Sequence, residues 1–559
     1  MVKREINEER LNAFFDTLLV EVQTDPSVNS FARDRLVHRA RKKARFVNPD
    51  LQQKAISDFL CDNNRIGDFE ICLDQDIVDN AKHYITVMLE RFTTRIDPPL
   101  IQETLSFSFL FDNWRYGPGA SFETLGTHAA DKIKQKMTCT TSCEPFVSQL
   151  RRLNPYFKGF DALNQVPGLS VVNGSKLTTV PKNQDTERTI AVEPLGNMCL
   201  QLAAGTYLEG VLRYLGLDIK TQQPKNRELA RIGSITEGFA TLDLKSASNM
   251  ISTELVRLLF PKKWYELLMA LRSPEIQLPN KEWVELKMMS TMGNGFTFPL
   301  MTLIITSLIY SYRCRKPSNP TLYVDWRKTA VFGDDIIIPI DEYDLCCETL
   351  ERAGFVINHD KSYREGQFRE SCGGDYFAGV DVSPFYCKSL STDSEVYVVI
   401  NQVLEWQVKH NCFLPSTINL LSTFLQGKLH LVPEWHNADE GVLTQVCNRR
   451  YSYLTTKSDR RTILETDWFA MPLAVAGYIN TAELNRSHTA ERLDSLCYTS
   501  TPSDPDMFYL PRSNNKRSKV RKARLPNGYL DGWDSRKRSQ NTSAMISLYV
   551  QLTIGYTGS

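Results

Sequence analysis

Ala330-Val-Phe-Gly-Asp-Asp-Ile-Ile-Ile-Pro-Ile340 sets two adjacent acids between two runs of apolar, largely β-branched residues. Such runs favour extended backbone, and the interruption at Gly333-Asp334-Asp335 is a hairpin signature with the acids in or beside the turn. An ordinary polar turn would favour Asn-Gly or Asp-Gly, with the glycine second. Here Gly333 comes first and two like charges are crowded together. Crowded carboxylates repel unless a cation neutralises them. Oxygen-only donors favour a hard cation, Mg²⁺ or Mn²⁺.

Working outward, a metal site for phosphoryl transfer needs a further carboxylate from another element. Phe239-Ala-Thr-Leu-Asp-Leu244 alternates as a strand and delivers Asp243 near its end. Taken alone, Asp243 also reads as a helix N-cap. Helical spacing follows over Ser246–Leu259 and Trp264–Leu271, the latter ending before Pro274. An apolar, buried helix is expected over 297–312, a strand over Thr321–Val324, and a helix over Leu345–Ala353 stopped by Gly354. The first 100 residues read as mainly helical. Later helical patches cover Val398–Val408 and Ser416–Leu425. The middle of the chain therefore reads as α+β: an antiparallel sheet backed by helices.

Three further segments carry polar chemistry. Ser290-Thr-Met-Gly-Asn-Gly-Phe-Thr-Phe298 has glycines at 293 and 295 for close backbone approach, and Ser290 and Asn294 for hydrogen bonds to a sugar or template. An ordinary loop is the plainer explanation. Lys176, Lys182 and Arg188 are spaced along a strand-like stretch and could grip a triphosphate. Solvated side chains explain them equally simply. Lys361, in Gly354-Phe-Val-Ile-Asn-His-Asp-Lys361, is placed to protonate a leaving pyrophosphate, unless it is a surface lysine.

Composition sets the outer bounds. The chain has 559 residues, 42% hydrophobic and 23% charged, with 66 basic and 65 acidic side chains. That is a multi-lobed globular protein with no global charge bias towards nucleic acid. Local bias exists: Arg33–Arg45 holds seven Lys/Arg and one Asp, and Arg512–Arg524 holds seven Lys/Arg and no acid. Each run is either a solvated face or a phosphate contact. The 13 cysteines are scattered. Cys139 and Cys143 lack a second pair at zinc-ligand spacing, so reduced, packed thiols are expected. The apolar run Leu300–Tyr310 is too short for a membrane span, and no apolar core follows the charged first residues, so neither span nor signal peptide is expected. The last 60 residues, rich in Pro, Ser, Asn and basic residues, are expected to be partly mobile.

Taken in order, the motifs resemble the RNA-directed RNA polymerase (replicase β subunit) of the levivirus-type positive-strand RNA bacteriophages. They are Tyr116-Gly-Pro-Gly-Ala-Ser121, Val180-Pro-Lys-Asn through Arg188 to Glu193-Pro194, Asp243-Leu-Lys-Ser-Ala-Ser, Arg272-Ser-Pro, Ser290 to Phe298, Phe332-Gly-Asp-Asp-Ile-Ile, Phe368-Arg-Glu-Ser-Cys-Gly373 and Gly379-Val-Asp-Val-Ser-Pro-Phe-Tyr386. The resemblance covers roughly 110–390 well and the last 160 residues weakly. It implies a right-hand polymerase of fingers, palm and thumb. Residues 1–150 would be a mainly helical region with part of the fingers, 151–238 the fingers with a basic NTP-binding segment, 239–390 the catalytic palm, and 391–559 the thumb and basic C-terminal region. It implies two Mg²⁺ ions on Asp243, Asp334 and Asp335, with Mn²⁺ as a substitute. Lys182 and Arg188 would lie near the phosphates of the incoming nucleotide, and Asn294 near its ribose. Partners would be an RNA template, NTPs, host elongation factors Tu and Ts and a host ribosomal protein, in the cytoplasm of the infected bacterium.

One position departs from the family pattern. The family's segment Asp-Leu-Ser-(Ala/Ser)-Ala-Ser-Asp ends here in Asn249. In related polymerases that side chain lies near the ribose 2′-hydroxyl. Asn keeps an acceptor and a donor but loses the charge, so Asn249→Asp is expected to shift rNTP over dNTP preference. Two alternatives stay open: a reverse transcriptase, whose Tyr-x-Asp-Asp lacks the glycine before the acids, and a non-catalytic RNA-binding protein on a polymerase palm.

Overall fold

The computed structural model describes residues 2–444, except for short stretches, chiefly 97–106, 125–131, 154–167 and 316–327. The expected strand at 321–324, the basic run at 512–524 and most of the expected thumb lie outside the described residues. Two compact units emerge. One comprises residues 49–180 and 186–382; the other takes described residues of 1–48, 181–185 and 383–559.

The first unit opens with two helices, α1 (Pro49–Asp68) and α2 (Gln75–Ile96). Strands β1 (Gly174–Pro181) and β2 (Glu187–Val192) follow, then α3 (Leu195–Tyr214) and α4 (Ile219–Thr236). Next come β3 (Phe239–Leu242), β4 (Glu275–Gln277), β5 (Trp283–Glu285) and α5 (Thr297–Cys314). The expected hairpin is present as β6 (Ala330–Phe332) and β7 (Asp335–Pro339), followed by α6 (Tyr343–Arg352). Strands β8 (Phe368–Ser371), β9 (Gly374–Phe377) and β10 (Val380–Asp381) complete it.

The central sheet has the order β3-β7-β6 and is wholly antiparallel. Its middle strand is Ile336-Ile337-Ile338, fully buried. Burial on both faces explains the continuous apolar run that replaces alternation, and stabilises by roughly 1.5–3 kcal/mol per side chain. α4 packs on β3, β6 and β7 and on the β8-β9 pair. A second sheet, ordered β2-β1-β4-β5, carries the basic stretch. The expected α+β architecture, an antiparallel sheet backed by helices, is therefore present.

α5 matches the helix expected over 297–312. It is apolar all round and packs against α2 and α3, as a helix without a polar face must. Tyr310 stacks on Tyr84 of α2 with ring centroids 4.4 Å apart. Its buried Thr302, Thr306 and Ser311 hydroxyls donate to carbonyls one turn earlier, which satisfies these donors within the helix.

One expected helix differs. Ser246–Leu259 is a 3-10 turn (Ala247–Met250) followed by a separate helix, Thr253–Leu259. Ser246 has φ +48°, which breaks the first turn. Ser252 bridges Met288, the Thr253 N–H donates to Lys287, and the Ser252 hydroxyl caps the new helix at the Leu255 N–H. These tertiary bonds outweigh the helical spacing.

In the other unit, helices Val2–Thr24, Ser30–Arg39, Asp393–His410 and Pro415–Thr423 bear out the helical readings there. Thr392 and Glu395 form a capping box that starts Asp393–His410 before the expected residue 398. The Glu21 carboxylate accepts from the Ser416 and Thr417 N–H groups at 2.8 and 2.9 Å, an acid at a helix N-terminus. Among the described residues, no helix is long and apolar enough to cross a membrane.

Candidate active site

The central sheet brings the three aspartates to one end. β3 runs antiparallel to β7 with Leu242 opposite Ile336, so the next step along each strand sets Asp243 against Asp335. β6 and β7 close with Phe332 opposite Asp335, which leaves Gly333 and Asp334 as the turn. Gly333 has φ +63°, and a Cβ there would fall 2.4 Å from the Phe298 ring. Only glycine gives this turn while the backbone lies against Phe298. The Gly333 N–H donates to the Thr302 hydroxyl at 3.1 Å, which ties the turn to α5.

The segment after α6 returns beside β3. Leu244 bridges Ile357 and Thr241 bridges Tyr363. This return places Asn358 and Lys361 on Asp243. The Asn358 side-chain amide donates to Asp243 Oδ2, and Lys361 Nζ stands 3.5 Å from the same oxygen. The Asp243 N–H donates to the Ser362 hydroxyl at 3.2 Å. Asp335 is held from the β8-β9 side: its Oδ1 accepts from the Cys372 N–H at 3.1 Å and the Ser371 hydroxyl at 3.4 Å. Buried Asn226 donates to the Asp335 carbonyl at 3.3 Å.

The electrostatics follow from this crowding. Burial pushes the Asp334 carboxyl above its ordinary range, and the Asp243 charge adds to it; Lys361 and Arg188 pull it partly back. Asp335 is pushed up to about 6, by burial and then by the Asp334 and Asp243 charges, against the Cys372 N–H. Mutual repulsion among oxygen donors is what a hard cation would relieve. Among the described residues, however, no group of three or more His, Cys, Asp or Glu side chains converges closely enough to hold a metal ion as placed. The donor chemistry fits a divalent cation: Asn358 and Lys361 meet Asp243 through Oδ2 alone, and Cys372 and Ser371 meet Asp335 through Oδ1 alone.

The remaining expected residues distribute unevenly. Arg188, exposed on β2, reaches Asp334 through its charge. Lys176 is exposed on β1 opposite Gln277, in the second sheet. Lys182 lies in the other compact unit. The glycine loop does permit close approach, but to its own chain: a Cβ on Gly293 would fall 2.1 Å from the Ala191 carbonyl of β2. Asn294 is buried, and its Oδ1 accepts from the Phe296 N–H at 2.9 Å, in the turn before α5. Ser290 is buried with no partner for its hydroxyl. Asn249 is buried, and its amide donates to Asp62 of α1 at 3.0 Å.

Sequence reasoning assigned no role to Asn358, Ser371, Cys372, Asn226 or Asp62. Two signals were available. Asn358 sits three residues before Lys361, and Ser371-Cys372 belongs to the ordered motif Phe368–Gly373.

The chain is 37% identical over 310 residues to the RNA-directed RNA polymerase subunit beta of Escherichia virus Qbeta, covering 55% of this chain and 50% of that protein. It is 35% identical over 332 residues to the same subunit of Enterobacteria phage SP, covering 58% and 55%. It is 31% identical over 292 residues to the RNA-directed RNA polymerase beta chain of Escherichia phage MS2, covering 52% and 50%. The chain thus spans about half the length of the curated relatives it matches. Among solved structures, it is similar to the RNA-dependent RNA polymerase of a human picorbirnavirus, with TM-score 0.43 and 12% identity over 75% of this chain and 82% of that one. The family model described as RNA replicase, beta-chain, matches residues 24–441, a span that takes in Asp243, Asp334, Asp335 and the side chains that hold them. The chain belongs to the RNA replicase beta-chain family.

Proposed function

We propose that the chain is an RNA-directed RNA polymerase that copies the genome of a positive-strand RNA phage. The observation that carries this reading is the convergence of Asp243, from the end of β3, with Asp334 and Asp335, from the β6–β7 turn, at one end of the central sheet. In this reading residues 239–390 are the palm of a right hand, with fingers before it and a thumb after it.

The reaction is attack of a 3′-hydroxyl on the α-phosphate of an NTP, which forms a phosphodiester and releases pyrophosphate. Two Mg²⁺ ions held by Asp243, Asp334 and Asp335, or Mn²⁺ in their place, would supply the positive charge that the transferring phosphate requires. Lys361, beside Asp243, gives a proton to the leaving pyrophosphate. Arg188 offsets phosphate charge, with Lys182 and Lys176 as further phosphate contacts. Asn249, Ser290, Gly293 and Asn294 form the sugar side of the site. The orphan hydroxyl of Ser290 and the uncommitted amide N–H groups of Asn294 are the donors this would use. The template strand, and host elongation factors Tu and Ts with a ribosomal protein, complete the assembly in the bacterial cytoplasm, by resemblance to the family.

The test is template-directed incorporation. Purified chain, alone and with the host factors, is given an RNA template, Mg²⁺ and labelled NTPs or dNTPs. The reading expects a complementary RNA product from NTPs. A DNA product would favour a reverse transcriptase, and no product in either mixture would remove the polymerase reading.

A further inference from the structure

The pair that nothing above explains is Asn249 with Asp62. Asn249 stands six positions beyond Asp243, in the 3-10 turn Ala247–Met250. Asp62 comes from α1, 187 positions earlier, and its Oδ2 accepts from Asn249 Nδ2 at 3.0 Å. The helix is braced just beyond Asp62. Asn63 donates to the Glu285 carbonyl at 3.0 Å and accepts from the Lys287 N–H at 2.9 Å. Arg65 donates to the Gly354 carbonyl at 3.0 Å. Asp62 is thus fixed against Asn249 by a pinned stretch of helix.

A carboxylate only accepts hydrogen bonds, so it dictates which end of the Asn249 amide faces it. The NH₂ turns to Asp62 and Oδ1 turns away. The partner of that oxygen is the Ser248 hydroxyl at 3.5 Å, at the outer limit of a hydrogen bond and free to rotate. Oδ1 is left as an oriented acceptor. An acceptor held in this way does what a carboxylate would do at position 249: it takes a hydrogen bond from a hydroxyl.

We propose that Asp62 is a specificity-determining positioning residue, which holds the Asn249 amide with its oxygen towards the sugar of the incoming nucleotide and so favours ribose over deoxyribose. The proposal rests on the polymerase reading and deepens it. A site that hydrogen-bonds a substrate hydroxyl discriminates against the analogue lacking it. Without Asp62 the amide is free to flip and present NH₂ instead.

The test compares kcat/KM for an NTP and the matching dNTP on one RNA template, using the full chain. Asp62→Ala is expected to lower the NTP:dNTP ratio by about tenfold, the equivalent of one lost hydrogen bond. The exchange Asp62→Asn with Asn249→Asp reverses donor and acceptor across the same 3.0 Å contact. It should hold the ratio within about threefold of the unsubstituted chain, because the oriented acceptor is restored. A structural role alone would reduce both nucleotides equally. An unchanged ratio in Asp62→Ala, or an exchange as impaired as Asp62→Ala, would overturn the proposal. If the unsubstituted chain makes no product, the polymerase reading fails and this proposal with it.

Discussion

Asn358 grips Asp243 twice: its backbone N–H donates to the Asp243 carbonyl at 2.9 Å, and its side-chain amide donates to Oδ2 of the carboxylate. With Lys361 on the same oxygen, Oδ1 is the free face of the carboxylate. A charge-assisted hydrogen bond of this kind contributes about 1.5–3 kcal/mol. Asn358→Ala should therefore raise the Mg²⁺ concentration for half-maximal incorporation by about tenfold, with a smaller change in nucleotide KM. Asn358→Asp should be worse, because it sets a like charge on Asp243. A Mg²⁺ titration of the three proteins checks this; an unchanged midpoint in Asn358→Ala would remove Asn358 from the positioning of Asp243.

Gly333 is the backbone counterpart of that contact. Its φ of +63° and the Phe298 ring 2.4 Å from a built Cβ leave no room for alanine. Gly333→Ala should cost about 1–3 kcal/mol of stability and displace Asp334. Denaturant unfolding measures the first and incorporation the second. A variant as stable and active as the parent would show that the turn has another conformation.

Lys361 offers a separation of charge from proton. Lys361→Leu should slow the chemical step by roughly 10²-fold. Lys361→Arg keeps the cation beside Asp243 but does not release its proton. Arg should thus restore the Mg²⁺ dependence without restoring the single-turnover rate. A full rate in Lys361→Arg would exclude proton donation.

Away from the site, Asp74 joins two basic side chains. It pairs with Arg352, and with Arg315 at 2.7 Å. These two guanidinium groups, Arg352 first, hold its carboxyl down from 3.8 to about 2. An acid depressed in the folded state stabilises above its unfolded value, and that stabilisation is lost as pH falls through the folded value. The melting-temperature gap between the parent and Asp74→Asn should therefore be constant above about pH 4 and close towards pH 2. The exposure of the group keeps the gap small. A gap that widens with acid would contradict the pairing.

Much of the central sheet was legible because its signals are local. Two acids between Ala330-Val-Phe and Ile-Ile-Ile define a hairpin over a few residues, and Phe239–Leu244 announces a strand in the same way. The helix read over 297–312 was equally plain, since it is apolar all round. What stayed hidden depends on residues far apart in the chain. Asn358 meets Asp243 across 115 positions, and Asp62 meets Asn249 across 187. Ser246–Leu259 looked like one helix because its spacing is helical, yet Ser252 is claimed by Met288. Gly293 was legible as a point of close approach, but the approaching group is the Ala191 carbonyl of its own fold. Arg188, Lys176 and Lys182 looked alike as basic side chains on one stretch; of the two in the first unit, Arg188 has a charge that reaches Asp334, while Lys176 is exposed in the second sheet.

The central claim is that the three aspartates carry template-directed nucleotidyl transfer, and Asp334→Asn tests it most directly. The substitution keeps the size of the side chain and removes the charge from the turn. Incorporation of labelled NTPs on an RNA template is measured at saturating Mg²⁺, with circular dichroism to confirm that the fold is retained. A folded Asp334→Asn protein should lose at least about 10²-fold in rate. Incorporation that survives the substitution in a folded protein would contradict the account.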